Sequence, residues 1–161
     1  MTTEEEYTGP FAHLAPKDRL KKKIKPTKNY DLHEVFRITV LNGIVKKSTD
    51  SNGKSDPYVR VSKKGKFGSK KTLFTTSVCK KTLTPSWNEW DNFILSPKNK
   101  ELIFELWDQD TFTKDDLIGT YHFLPSLPYD MFSNWEFKLN DEVTATIQFI
   151  ITDYYHPDSD K

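Results

Sequence analysis

Toward the end of the chain Val143, Ala145, Ile147, Phe149 and Ile151 occupy alternate positions, with Thr144, Thr146 and Gln148 between them. A period of two puts the apolar set on one face of an extended strand and the polar set on the other, the signature of a half-buried β-strand. The same texture begins at Val35, where Phe36, Ile38 and Val40 alternate with Arg37 and Thr39. Similar segments recur near 57–62, 70–79, 88–95, 101–107, 118–124 and 135–139, separated by turn-rich stretches such as Asn42-Gly43, Ser51-Asn52-Gly53, Lys64-Gly65 and Ser96-Pro97. No long 3.6-residue period competes. About eight short strands in 161 residues predict one all-β domain, an antiparallel eight-stranded β-sandwich whose loops gather at its two ends.

Aromatic residues make up 14% of the chain against 35% hydrophobic residues in all, so much of the apolar mass sits in large side chains suited to strands. Residues 1–33 carry an acidic tip, then the basic run Lys21, Lys22, Lys23 and Lys25, without an apolar period. They read as a flexible N-terminal extension, with the domain at 34–154 and a C-terminal tail at 155–161. The single cysteine, Cys79, has no internal disulfide partner. No apolar run approaches the roughly 20 residues of a membrane span, and no charged-then-apolar leader opens the sequence. The expectation is a soluble, cytoplasmic protein.

The net charge of +1 hides an asymmetry. Of 24 Lys and Arg, 19 lie between Met1 and Asn88, leaving 5 beyond; of 23 Asp and Glu, 8 lie in the first part and 15 in the second. Between Pro57 and Asn88 eight basic residues occur with no acid, which gives a local positive field or, more blandly, a solvated face.

Aspartates are unusually dense in two predicted loops, Asp50 and Asp56 in one and Asp108, Asp110, Asp115 and Asp116 in the other. If both loops lie at one end of the sandwich, the carboxylates meet, and unpaired charges about 4 Å apart repel by roughly 4 kcal/mol at an effective dielectric near 20. Calcium suits such a cluster because it takes about 6–8 oxygen ligands in irregular geometry. The loops contain no His or Cys, which argues against zinc, and magnesium prefers a tight octahedron with its own waters. An EF-hand does not fit: the sixth and twelfth positions are Ser55 and Val61 counted from Asp50, and Thr113 and Gly119 counted from Asp108. The alternative is that these aspartates only cap turns.

Three motifs in order resemble those of the C2 domain family over residues 35–151. They are Ser55-Asp56-Pro57-Tyr58-Val59-Arg60-Val61, Lys81-Thr82-Leu83-Thr84-Pro85-Ser86-Trp87-Asn88-Glu89, and Trp107-Asp108-Gln109-Asp110 followed by Asp116-Leu117-Ile118-Gly119. The resemblance implies side-chain calcium ligands at Asp50, Asp56, Asp108, Asp110 and Asp116, and every one of those family positions is acidic here. It leaves Asp115 facing solvent and makes the carbonyls of Thr49, Gln109 and Lys114 candidate backbone ligands. Because no clear strand precedes Val35, the resemblance favours the family's circularly permuted, type II strand order.

The function implied is calcium-dependent binding to anionic phospholipids, of the kind used in signalling or membrane trafficking. Five ionised aspartates carry roughly −5; two calcium ions bring the cluster to about −1 and three to about +1, so repulsion of anionic headgroups such as phosphatidylserine is switched off. A cytoplasmic protein of this kind is recruited peripherally to membranes when calcium rises. Phe112 is the expected membrane-contacting tip, with Ser51 and Asn52 adding little insertion. Lys63, Lys64, Lys66, Lys70 and Lys71 form a candidate basic patch for phosphoinositides, and Lys21, Lys22 and Lys23 a nonspecific contact.

Other classes fit less well. His13, His33, His122 and His156 are scattered, and no phosphate loop, nucleophile elbow or zinc motif appears, so no enzyme is expected. Nucleic-acid binding would use the basic 57–88 segment, but Phe67, Phe74 and Trp87 alternate there as core residues would, and no recognised motif is present. A calcium-regulated protein-interaction module is the alternative to lipid binding.

Overall fold

The structure, a computed structural model, describes residues 34–46, 53–95, 101–124 and 131–155. The expected N-terminal extension at 1–33, the tail beyond Tyr155 and the loop residues Thr49, Asp50, Ser51 and Asn52 lie outside the described residues.

Eight strands follow in chain order: β1 (Glu34–Val45), β2 (Pro57–Lys64), β3 (Lys70–Thr75), β4 (Ser86–Leu95), β5 (Leu102–Asp108), β6 (Asp116–Phe123), β7 (Met131–Leu139) and β8 (Glu142–Tyr155). They are hydrogen-bonded in the order β3-β2-β5-β6-β7-β8-β1-β4, and every pairing is antiparallel. The ladder is thinnest between β6 and β7, where Thr120 opposite Lys138 is the one registered pair. On either side of that seam four strands fold over a shared core.

Alternation decides what fills that core. Val59 and Val61 of β2, Leu102, Phe104 and Leu106 of β5, Phe137 of β7, and Ala145, Ile147, Phe149 and Ile151 of β8 are buried at every second position. Phe104 meets Trp135 and Phe149 at ring separations of 5.2 and 5.1 Å, edge to face, which joins β5 to β7 and β8 through the interior. The outermost strands of the order also touch, since the rings of Phe74 on β3 and Phe93 on β4 lie 6.4 Å apart. The result is a sandwich close to a closed barrel, as predicted, with both edge strands drawn together.

Three local expectations are corrected. Asn42-Gly43 reads as a turn but is part of β1, which continues to Val45 through a bulge after Val40. Its backbone is paired on both sides, by β8 and by the Leu83–Pro85 segment, as in Gly43 N–H to Pro85 O at 3.0 Å and Val45 N–H to Leu83 O at 2.7 Å. Glycine is needed because a Cβ at position 43 would stand 2.9 Å from the Thr146 carbonyl oxygen. The strand predicted at 70–79 ends at Thr75, because Thr76 turns back onto β2, donating its N–H to Val59 O and accepting the Val59 N–H on Oγ1.

Phe67 is not a core residue. It lies in the Lys66–Gly68 turn that joins β2 to β3, wholly exposed at 105%, with φ of 57° and ψ of 33°. Gly68 follows at φ of 76° and Ser69 N–H returns to Lys66 O at 3.2 Å, the pattern of a type I′ hairpin turn. Asn, Asp or Gly is usual at the Phe67 position; for other residues the left-handed conformation costs about 1–2 kcal/mol.

Candidate metal centre

Strand register brings the aspartates together. Pro57 pairs with Asp108 across β2 and β5, and Asp108 pairs with Asp116 across β5 and β6. Asp56, immediately before β2, therefore joins Asp108 at the end of β5 and Asp116 at the start of β6 at one end of the sheet. Asp108 continues the inward-facing series of Leu102, Phe104 and Leu106 and is fully buried at 0% exposure. Its carboxylate accepts the Asp56 N–H at 2.8 Å, while Gln109 N–H donates to Asp56 O at 3.0 Å. These reciprocal bonds fix the start of β2 to the end of β5.

Each remaining acid has its own partner. Asp56 accepts Lys81 N–H on Oδ1 at 2.6 Å, and its Oδ2 lies 3.8 Å from Lys80 Nζ, which donates to Gln109 Oε1 at 2.7 Å. Asp110 and Asp116 are neighbours; loss of hydration, then the closeness of the Asp116 carboxyl group and its charge, push Asp110 above the usual carboxylate range. Asp115, expected to face solvent, is instead a structural acceptor. It takes the Tyr58 hydroxyl on Oδ2 at 2.6 Å and the Asp110 N–H on Oδ1 at 3.0 Å, and these bonds hold its pKa down. Burial, reinforced by Asp115, raises Tyr58 to about 12.

The described carboxylates thus form two neighbouring pairs, Asp56 with Asp108 and Asp110 with Asp116. Among the described residues, no group of three or more acidic, His or Cys side chains is close enough to hold one ion, and Asp50 lies outside those residues. The donor chemistry nevertheless fits a hard cation: carboxylates dominate, Asp108 is buried, and Asp110 and Asp116 crowd each other. Next to them Ser55 Oγ is buried without a hydrogen-bond partner. His122 is remote, opposite Ile103 at the other end of β5, and its Nδ1 lies 2.9 Å from Glu101. The Phe112 ring stands 98% exposed in the β5–β6 loop, and Lys114 is exposed beside it.

The basic candidates fall elsewhere. Lys63 opposes Lys71 and Lys64 opposes Lys70 on successive rungs of the β2–β3 hairpin, so the two pairs point to opposite faces, with Lys66 in the turn. Lys70 Nζ lies 3.4 Å from the buried Glu105 carboxylate. Sequence reading missed Lys80 and Lys81 as partners of Asp56, Tyr58 as the partner of Asp115, and the exposure of Phe67. No local spacing signals the first two, because only strand pairing joins residues so far apart in the chain.

The C2 domain family model matches residues 34–135. The chain belongs to the C2 domain family. It is 42% identical over 119 residues to a C2 domain-containing protein of Dictyostelium discoideum, a match covering 69% of this chain and 61% of that relative. It is 37% identical over 91 residues to the ubiquitin ligase NEDD4 of Rattus norvegicus, covering 56% of this chain but 10% of that enzyme. In the second relative the matched segment is a small part of an enzyme, and this chain spans under two thirds of either relative. A solved C2 domain of plant extended synaptotagmin 1 superposes with a TM-score of 0.60 at 18% identity, covering 76% of this chain and 96% of that one. The calcium-bound tandem C2 domains of extended synaptotagmin 2 superpose at 0.56 with 26% identity, covering 74% and 45%. No helix among the described residues is long and apolar enough to cross a membrane.

Proposed function

We propose that this C2 domain binds anionic phospholipid membranes in response to calcium, with Asp50, Asp56, Asp108, Asp110 and Asp116 holding two or three ions. The observation that carries this reading is the placement of Asp56, Asp108, Asp110 and Asp116, as two neighbouring pairs, at one end of the sandwich with an exposed Phe112 in the β5–β6 loop. Bound calcium would supply positive charge and open coordination positions for lipid phosphate. The chain supplies the rest. Asp56 N–H and the β2–β5 register hold Asp108 in place, Asp115 anchors the Asp110 backbone, and the Lys80 ammonium, 3.8 Å from Asp56, would compete with a cation for that carboxylate. Thr49, Gln109 and Lys114 are candidates to add backbone oxygens.

Phe112 adds insertion, to which Ser51 and Asn52 of the first loop would add little, and its full burial contributes about 1.5–3 kcal/mol. Phosphatidylserine is the headgroup this chemistry fits first. In the candidate phosphoinositide patch, Lys64 and Lys70 share one face and Lys63 and Lys71 the other, with Lys66 in the turn. The place of β1 between β8 and β4 in the strand order supports the circularly permuted arrangement. A cytoplasmic location with recruitment to membranes on a calcium rise follows from this mechanism.

Sedimentation with phosphatidylserine vesicles, with calcium and with chelator, tests the reading. Binding that strengthens with calcium and loses that gain in chelator is expected. Equal binding in both conditions overturns it, and calcium-dependent binding to an acidic polypeptide but not to vesicles would make the domain a protein-interaction module instead.

A further inference from the structure

The β2–β3 turn raises a question that the aspartate end does not answer. Its tip presents Phe67 entirely to solvent, in a left-handed backbone conformation that favours Asn or Gly, and no interior contact accounts for the aromatic ring. The turn itself is well built. Gly65 N–H donates to Ser69 O at 2.6 Å, Ser69 Oγ donates to Lys66 O at 2.7 Å, and Ser69 N–H donates to the same carbonyl. Around it stand Lys63, Lys64, Lys66, Lys70 and Lys71, two pairs of them directly opposed across the hairpin. Like charges in that arrangement repel, so the tip favours a polyanionic surface. Glu105 beside Lys70, and Glu101, whose carboxylate feels Lys64, offset part of that charge.

Position matters as much as composition. β2 runs from Pro57, beside Asp108, to Lys64, at the foot of the turn. Seven residue steps of about 3.3 Å each separate the two ends by roughly 23 Å. The tip therefore faces away from the aspartates and from Phe112.

We infer that the Lys66-Phe67-Gly68 tip is a second membrane-contact site, which docks on an anionic bilayer without calcium by lodging the Phe67 ring at the headgroup boundary while the flanking lysines engage lipid phosphate. A lone aromatic among lysines suits a bilayer interface, where the ring is buried and the ammonium groups stay hydrated. Combined with calcium-dependent docking of the aspartate end, which rests on the function proposed above, the domain would hold two bilayer surfaces apart, one at each end of β2.

The test is cosedimentation of the full chain with vesicles of equal parts phosphatidylcholine and phosphatidylserine, in chelator. Phe67→Asn suits the turn conformation and should leave the thermal midpoint unchanged or higher. Binding of the wild-type chain in chelator is expected to weaken roughly tenfold in Phe67→Asn, the loss of about 1.4 kcal/mol, and not to change in Phe112→Ser. In calcium, light scattering should show vesicle clustering by the wild-type chain and none by Phe67→Asn. Equal binding of Phe67→Asn and wild type in chelator overturns the inference, as does an effect of Phe67→Asn on an acidic polypeptide but not on vesicles. Clustering that survives Phe67→Asn overturns the two-ended geometry. A wild-type chain that binds in chelator with no further gain from calcium removes the calcium reading and leaves the tip standing.

Discussion

The two ends of β2 place opposite charges under opposite constraints. Beside Pro57, acids are crowded and tied down: Asp108 is buried and bonded to the Asp56 backbone, Asp115 is clamped by Tyr58 and the Asp110 N–H, and Lys80 lies against Asp56. Beside Lys64, lysines flank a bare aromatic held by the turn's own hydrogen bonds and the β2–β3 ladder, with Lys70 against Glu105. Under the proposed function, crowded acids would repel an anionic membrane until a cation is supplied. Spread lysines need no such addition. A regulated contact therefore needs packing that forces like charges together, whereas a constitutive one needs only their exposure.

The largest effect expected at the acidic end comes from Asp108. Asp108→Asn keeps an acceptor for the Asp56 N–H and should fold, but chelator-sensitive vesicle sedimentation should disappear. Asp108→Ala leaves that buried donor unpaired and should cost about 1–3 kcal/mol of stability by denaturant titration. Unchanged stability of Asp108→Ala would mean that this bond does not fix the two strands.

A stability effect of similar size, but without loss of chelator-sensitive binding, is expected from Tyr58→Phe, which removes the hydroxyl that Asp115 accepts. A hydrogen bond to a charged group is worth about 1.5–3 kcal/mol, and pH locates it. Asp115 is held below the usual carboxylate range, so its contribution is present above about pH 4 and is lost as pH falls through the depressed folded value. Tyr58 is raised from 10.0 to about 12, so its contribution is present below pH 10.0 and is lost as pH climbs toward about 12. The stability gap between Tyr58→Phe and wild type should therefore close at both extremes. A gap independent of pH would assign it to packing alone.

Lys80→Gln should have the smallest effect. Exposed ion pairs are worth about 0–1 kcal/mol, so loss of the competing ammonium should tighten calcium binding by up to roughly fivefold in isothermal titration. Weaker binding would show that Lys80 orders the site instead of competing for it.

Much of the fold was legible because alternation is a local property: the eight strands, their antiparallel pairing in a sandwich and the alternate burial along β8 could be read from Val143 to Ile151 and its counterparts. What failed needed tertiary context. Asn42-Gly43 carries the composition of a turn, yet pairing with β8 and with Leu83–Pro85 keeps it extended. Phe67 has core chemistry, yet the turn geometry turns it outward. At the candidate site, the convergence of Asp56, Asp108, Asp110 and Asp116 followed from reading both loops at one end of a sandwich, whereas the roles of Asp115 and Lys80 depend on partners brought in by β2 and by the segment after β3. Those partners are many residues away in sequence, so no motif records them.

The most direct test of the acidic end is the thermal midpoint of the full chain as calcium is added. An ion bound only by the folded state stabilises it by RT ln(1 + [L]/Kd), so the wild-type midpoint should climb steadily with calcium and fall back with chelator. Asp110→Asn should lose most of that climb and, without calcium, should be as stable as wild type or slightly more so, because it relieves the crowding of Asp110 against Asp116. A wild-type midpoint that does not move in millimolar calcium would contradict calcium binding at this end of the domain.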